Sequence, residues 1–142
     1  MVVHMTPLYV TTAVATGDGR NGHVETTDGG LVTAVRTPKE LGGEGGATNP
    51  EQLFAAGYAA CFHSALKLVA GKAKADTTDS EVVADVSLGM LDTGGFGLTA
   101  HLEVSLPALD KESAERMVAQ AHQVCPYSNA TRGNMQVTLS VA

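Results

Sequence analysis

Two residues in this chain have side chains suited to redox and nucleophilic chemistry at neutral pH, Cys61 and Cys125, and they are its only cysteines. A thiol reacts as the thiolate, so a reactive cysteine needs a cation or a helix N-terminus to lower its pKa. Nothing adjacent to Cys61 in sequence supplies one; the cation must come from elsewhere in the fold. On an apolar helix a free cysteine also serves simply as a small buried hydrophobe. Two thiols and no others fit a peroxidatic and resolving couple, and two unrelated core thiols leave the same trace. Only folding can bring their Cα atoms to the ~4.4–6.8 Å that a disulfide requires.

Other chemistries find less support. His63 and His122 flank the cysteines, but Cys61 and His63 point roughly 200° apart around a helix, which works against a shared metal. No metal site is therefore expected. The glycines of Gly42-Gly43-Glu44-Gly45-Gly46 lack the Gly-Lys-Ser/Thr ending of a phosphate loop, and no Gly-x-Ser-x-Gly element marks a serine hydrolase. Taken singly, Glu51 is an acid at a helix start and Arg20 a turn residue.

The elements that must position the thiols are readable. From Asn49, with Pro50 suited to the first helical position and Glu51 to the first turn, a helix is expected to about Lys74. Gln52 to Leu66 carries no Asp, Glu, Lys or Arg. A stretch apolar on nearly every face reads as a central helix buried on all sides, and as too short for a bilayer span of ~20 apolar residues. Before it, Leu8–Thr16, His23–Thr27 and Leu31–Thr37 read as an antiparallel meander, turning at residues 17–22 and at Asp28-Gly29-Gly30. Pro38–Thr48 reads as a flexible loop. After it, Glu81–Leu91 and Phe96–Leu106 read as a hairpin turning through Asp92-Thr93-Gly94-Gly95. Asp110 caps a second helix running through Ala114, Met117, Val118, Ala121 and Cys125, which Pro126 ends or bends. Gln136–Val141 is the last strand. The order βββ-α-ββ-α-β is α+β.

With 142 residues, 44% hydrophobic and 17% charged, the chain is expected to form a single domain, 1–142, with a real core. A net charge of −6 without a basic cluster disfavours nucleic acid and anionic membrane as partners. The N-terminus, Met1 to Pro7, lacks a basic region followed by an apolar run, so a cytoplasmic location is expected. In that compartment a cysteine pair is chemical rather than a structural staple.

Asn49-Pro50-Glu51-Gln52-Leu53-Phe54-Ala55-Ala56-Gly57-Tyr58-Ala59-Ala60-Cys61-Phe62 resembles the first cysteine motif of the organic hydroperoxide resistance (Ohr) group within the Ohr/OsmC family. Val124-Cys125-Pro126-Tyr127-Ser128-Asn129-Ala130-Thr131-Arg132-Gly133-Asn134 resembles the second, and Gly19-Arg20 and Pro38-Lys39-Glu40-Leu41-Gly42-Gly43 also fit. The resemblance implies an OsmC-like α+β fold, antiparallel sheets enclosing long central helices in an intertwined homodimer. It implies a cofactor-free thiol peroxidase for organic hydroperoxides, with Cys61 peroxidatic, Cys125 resolving, Arg20 and Glu51 the supporting pair, and lipoylated proteins or another dithiol as reductant. Phe54, Tyr58, Phe96 and Tyr127 are candidates for an apolar substrate pocket. Alternatives on the same fold are an OsmC-type peroxidase of broader range, a redox sensor and a hydrophobic-ligand carrier. In an unbroken helix Glu51 would sit ~15 Å along the axis from Cys61. A bend or break near Gly57 is therefore expected.

Overall fold

The computed structural model of the protein describes residues 4–142; Met1 to Val3, part of the N-terminal stretch read above, lie outside the described residues. Two units form, Met1–Pro50 and Glu51–Ala142. In the first, β1 (Ala13–Asp18), β2 (Asn21–Thr26) and β3 (Val32–Ala34) make the expected antiparallel meander. Its first strand differs from the reading. It starts at Ala13, opposite Thr26, and runs on to Asp18 through residues assigned to the turn. Leu8, Tyr9 and Val10 are β-formers by type but are 99%, 78% and 79% exposed and lie outside the strand. Propensity makes a strand only where a partner backbone is present. The turn contracts to Gly19-Arg20 between the paired Asp18 and Asn21, with Gly19 at φ +61°, which a two-residue hairpin favours. A short 3-10 turn, Lys39–Leu41, interrupts the glycine-rich loop.

The second unit is built on α1 (Pro50–Ala73), β4 (Glu81–Met90), β5 (Phe96–Ser105), α2 (Lys111–Val124), α3 (Pro126–Thr131) and β6 (Val137–Val141). Strands β4 and β5 pair antiparallel from Glu81–Ser105 to Met90–Phe96, and β6 joins the other edge of β5 in parallel. A parallel neighbour needs a crossover, and α2 with α3 supply it. Asp110 accepts the Ser113 N–H at 3.3 Å, capping α2 as expected. Pro126 does more than end that helix: it is the first residue of α3, where its missing N–H costs nothing.

Alternation sends Ala100, Leu102 and Val104 of β5 inward against Tyr58, Phe62, Leu66 and Ala70 of α1 and Met117, Val118 and Ala121 of α2. Full burial of each large apolar side chain contributes about 1.5–3 kcal/mol. The helix α1 departs from the reading in three ways. It is continuous through Gly57, which removes the expected break. Within one chain it is buried on one side only, Ala56, Ala60, Ser64 and Leu68 remaining exposed. At 24 residues it is long and apolar enough to cross a membrane by length and composition alone, although its buried stripe packs into the core of this unit.

Candidate active site

Ten residues into α1 beyond Glu51, Cys61 faces the corner between α2 and α3. Cys125 is that corner: it closes α2 through its N–H to Ala121 O (2.9 Å) and opens α3 through its carbonyl to Asn129 N–H (2.9 Å), in an extended conformation at φ −64°, ψ 122°. One extended residue between two helices turns the Cys125 side chain toward α1. The two sulfurs stand 3.7 Å apart, both thiols free, with Cys125 donating to Cys61. Cys125 is fully buried, whereas Cys61 is partly accessible.

Burial pushes the Cys61 thiol up from its ordinary value; a hydrogen bond from the Tyr127 backbone opposes this, and Cys125 adds to the upward push. Within this unit the site holds a reduced dithiol close to bonding distance, with the accessible sulfur kept neutral by its surroundings.

Beside Cys61 lies an open apolar groove of about 370 Å³, lined by Cys61, Ser64, Ala65, Leu68, Val124 and Pro126. Its α1 members follow i, i+3, i+4, i+7 spacing, one stripe of the helix. That periodic signal was present in the sequence, yet the expected pocket residues lie elsewhere. Phe54, Tyr58 and Tyr127 do assemble, with ring centroids 5.5–6.1 Å apart in edge and tilted contacts. Tyr58 is fully buried and backs this cluster, so Tyr127 and Phe54 present its accessible rings. Phe96 stands 73% exposed opposite Met90 at the hairpin end of β4–β5, outside the cluster. Arg20 occupies the hairpin tip of the first unit, and Glu51 the first turn of α1, ~15 Å of helical rise before Cys61.

Gly57 serves close approach rather than bending. A Cβ there would meet Tyr127 Oη at 2.6 Å and Cζ at 3.2 Å. Gly57→Ala is expected to lower the stability of the reduced protein by about 1–2 kcal/mol, the strain on the wedged Tyr127 ring outweighing a helix-propensity gain of about 1 kcal/mol. Urea denaturation measures it, and an unchanged or higher midpoint would mean the ring swings out freely.

A polar network behind the thiols had no counterpart in the sequence reading. Ser128, buried on α3, lies 2.8 Å from Tyr58 Oη and 2.8 Å from His122 Nδ1, and Thr131 lies 3.3 Å from Tyr58 Oη. Arg132 donates to the His122 carbonyl and to Asn129 Oδ1, tying the end of α2 to α3. No spacing rule links His122 to Ser128, because the chain turns a corner between them.

The family model of the OsmC-like proteins matches residues 43–140 of this chain. The chain is 52% identical over 137 residues to the organic hydroperoxide resistance protein of Xanthomonas axonopodis pv. citri, covering 95% of each chain. It superposes on the crystal structure of an organic hydroperoxide resistance protein from Legionella pneumophila with a TM-score of 0.92 at 55% identity, covering 96% of this chain and 99% of that one. For the organic hydroperoxide resistance protein OhrB of Bacillus subtilis the TM-score is 0.87 at 43% identity, covering 96% and 100%. The protein belongs to the organic hydroperoxide resistance group of the Ohr/OsmC family, whose activity is the detoxification of organic hydroperoxides.

Proposed function

We propose that the protein is a cysteine-based thiol peroxidase that reduces organic hydroperoxides to alcohols and is recycled by a dithiol, lipoyl groups on proteins being the expected reductant. The observation that carries this reading is the 3.7 Å separation of two free sulfurs, one accessible beside an apolar groove and one sealed in the core. The Cys61 thiolate attacks the peroxide; the O–O bond breaks, one oxygen stays on Cys61 as a sulfenic acid, and the alkoxide takes a proton to leave as alcohol. The Cys125 sulfur then attacks the sulfenic sulfur, forming the disulfide and releasing water. Exchange with an external dithiol restores both thiols. The groove and the Phe54–Tyr127 face accept the alkyl portion. No cofactor is required.

Arg20 and Glu51 are assigned on family likeness, the guanidinium as the cation that favours thiolate at Cys61 and the carboxylate as its orienting partner. This has the two units acting as one domain, 1–142. We assign a homodimer: the exposed Leu8, Tyr9 and Val10 and the uncovered side of α1 leave apolar surface that a second copy would cover. Phe96, exposed in one chain, joins the substrate site only as part of that dimer. A cytoplasmic location suits a reduced resting dithiol.

Treating the reduced protein with one equivalent of cumene hydroperoxide and counting thiols by mass spectrometry tests the cycle. The expected product is an intrachain Cys61–Cys125 disulfide that dihydrolipoamide reverses. Persistence of both thiols would overturn the reading. Light scattering after gel filtration is expected to give the mass of two chains.

A further inference from the structure

The network behind the thiols takes definite proton directions when the Thr131 hydroxyl donates to the Ser128 carbonyl. Each hydroxyl has a single proton to donate. That of Thr131 reaches the Ser128 carbonyl at 3.2 Å, which also accepts the Arg132 N–H at 2.9 Å. The 3.3 Å contact between Thr131 and Tyr58 therefore uses the Tyr58 proton, and the 2.8 Å contact between Tyr58 and Ser128 uses the Ser128 proton. What remains is the 2.8 Å contact of Ser128 Oγ with His122 Nδ1, which the imidazole donates in this arrangement. Tyr58 and Ser128 are fully buried and Thr131 is 5% exposed, so the inner members of the chain lie away from solvent. Burial and the nearby Arg132 guanidinium both push the His122 pKa down. The ring is thereby kept neutral, and the arrangement above puts its one proton on Nδ1.

The anchor points bracket the thiols. Tyr58 lies three residues before Cys61 on α1, His122 three before Cys125 on α2, and Ser128 three after it on α3. To become a disulfide the sulfurs must close from 3.7 Å to ~2.05 Å, in a direction set by the corner that carries Cys125. We infer that His122 is a positioning residue for this closure: its Nδ1–H begins a one-way chain through Ser128 and Tyr58 to Thr131 that pins the α2–α3 corner against α1. The inference rests on the peroxidase reading. The step it serves is the attack of Cys125 sulfur on the Cys61 sulfenic acid, in which the S–O bond breaks and the hydroxyl leaves as water with the thiol proton. Misplacing reacting atoms by about 1 Å can cost 10²-fold in rate.

Two measurements on the full-length protein test it. In the reduced protein, ¹⁵N shifts of the His122 ring are expected to show Nδ1 protonated and Nε2 bare; the opposite tautomer would overturn the inference. In the second, hydroperoxide is added with dimedone present, and trapped Cys61 sulfenate and disulfide are quantified over time. In His122→Leu and Ser128→Ala, disulfide formation is expected to slow by about tenfold or more, with sulfenate trapped in its place, while first-turnover loss of hydroperoxide serves as the internal reference. His122→Asn, which carries an amide N–H close to the position of Nδ1–H, is expected to restore closure. His122 is only partly buried, so His122→Leu carries the test even if Ser128→Ala does not fold. Wild-type closure rates in His122→Leu, or no difference between His122→Leu and His122→Asn, would overturn the inference and leave the peroxidase reading standing. Wild-type protein that leaves the hydroperoxide intact overturns both.

Discussion

Cys61→Ser is expected to abolish hydroperoxide turnover, the rate falling by a factor on the order of 10⁴ or more, because a serine hydroxyl at this position has no base and negligible alkoxide. Cys125→Ser is expected to behave differently. It should consume about one equivalent of hydroperoxide and stop, leaving Cys61 as a sulfenic acid that further peroxide drives to the sulfinic state. Cys125 is fully buried, so its serine variant also loses roughly 1–3 kcal/mol from an unpartnered hydroxyl. Circular dichroism of both variants separates that loss from chemistry. Paired assays of hydroperoxide consumption decide the matter. Turnover surviving in Cys61→Ser would remove this residue from the mechanism, and repeated cycling by Cys125→Ser would remove the disulfide. A hydrophobic-ligand carrier would keep its function in both variants.

Arg20→Ala is expected to lower the rate of peroxide attack by about 10²-fold near neutral pH, the scale on which a fixed charge at a reacting centre contributes. The sign in pH follows from the environment of Cys61. Burial raises its pKa, so the reactive thiolate is the minor form at low pH and the rate climbs as pH rises through that pKa. A nearby guanidinium moves the climb to lower pH. Its removal should therefore displace the rising limb to higher pH and leave an alkaline plateau closer to wild type than the neutral-pH rate. Single-turnover rates with cumene hydroperoxide between mildly acidic and alkaline pH measure this. A uniform loss with no displacement of the limb would assign Arg20 to orienting the peroxide rather than to the thiolate.

Much of the framework was legible because local chemistry and tertiary structure agree in it. Pro50 starts α1, Asp110 caps α2, and the alternation of Val82, Ala84 and Val86 marks β4. Where the reading failed, one residue type carried two physical meanings. Gly57 suggests backbone freedom by its type and instead serves the close approach of Tyr127. Pro126 ends α2 as expected, and the same residue also starts α3, which its type alone does not announce. The β-formers Leu8 to Thr12 signal a strand, but β2 pairs with β1 only from Ala13, and the Thr12 carbonyl accepts the Thr27 N–H outside the strand. The meeting of the thiols depends on the crossover from β5 to β6, which no window of sequence contains. Only likeness to whole motifs paired Cys61 with Cys125 before the fold did. The Cys61, Ser64, Ala65, Leu68 stripe has helical spacing, but small and apolar residues at that spacing mark a core face as readily as a groove lining.

The parallel pairing of β6 with β5 also bears on the order of events at the ribosome. Cys61 emerges well before Cys125, and the edge strand that completes the crossover, Val137–Val141, follows both. A pairing of such long sequence separation forms late, after its strand has left the exit tunnel. Until then a nascent chain carries Cys61 without a seated resolving thiol. On the proposed mechanism, any sulfenic acid that formed there in that interval would have no resolving thiol to intercept it, although the unfolded Cys61 also lacks the cation that favours its thiolate. By the same mechanism a newly made chain gains both its reactive thiolate and the thiol that protects it only on folding, so protection of the pool rests on copies finished before the oxidant arrives.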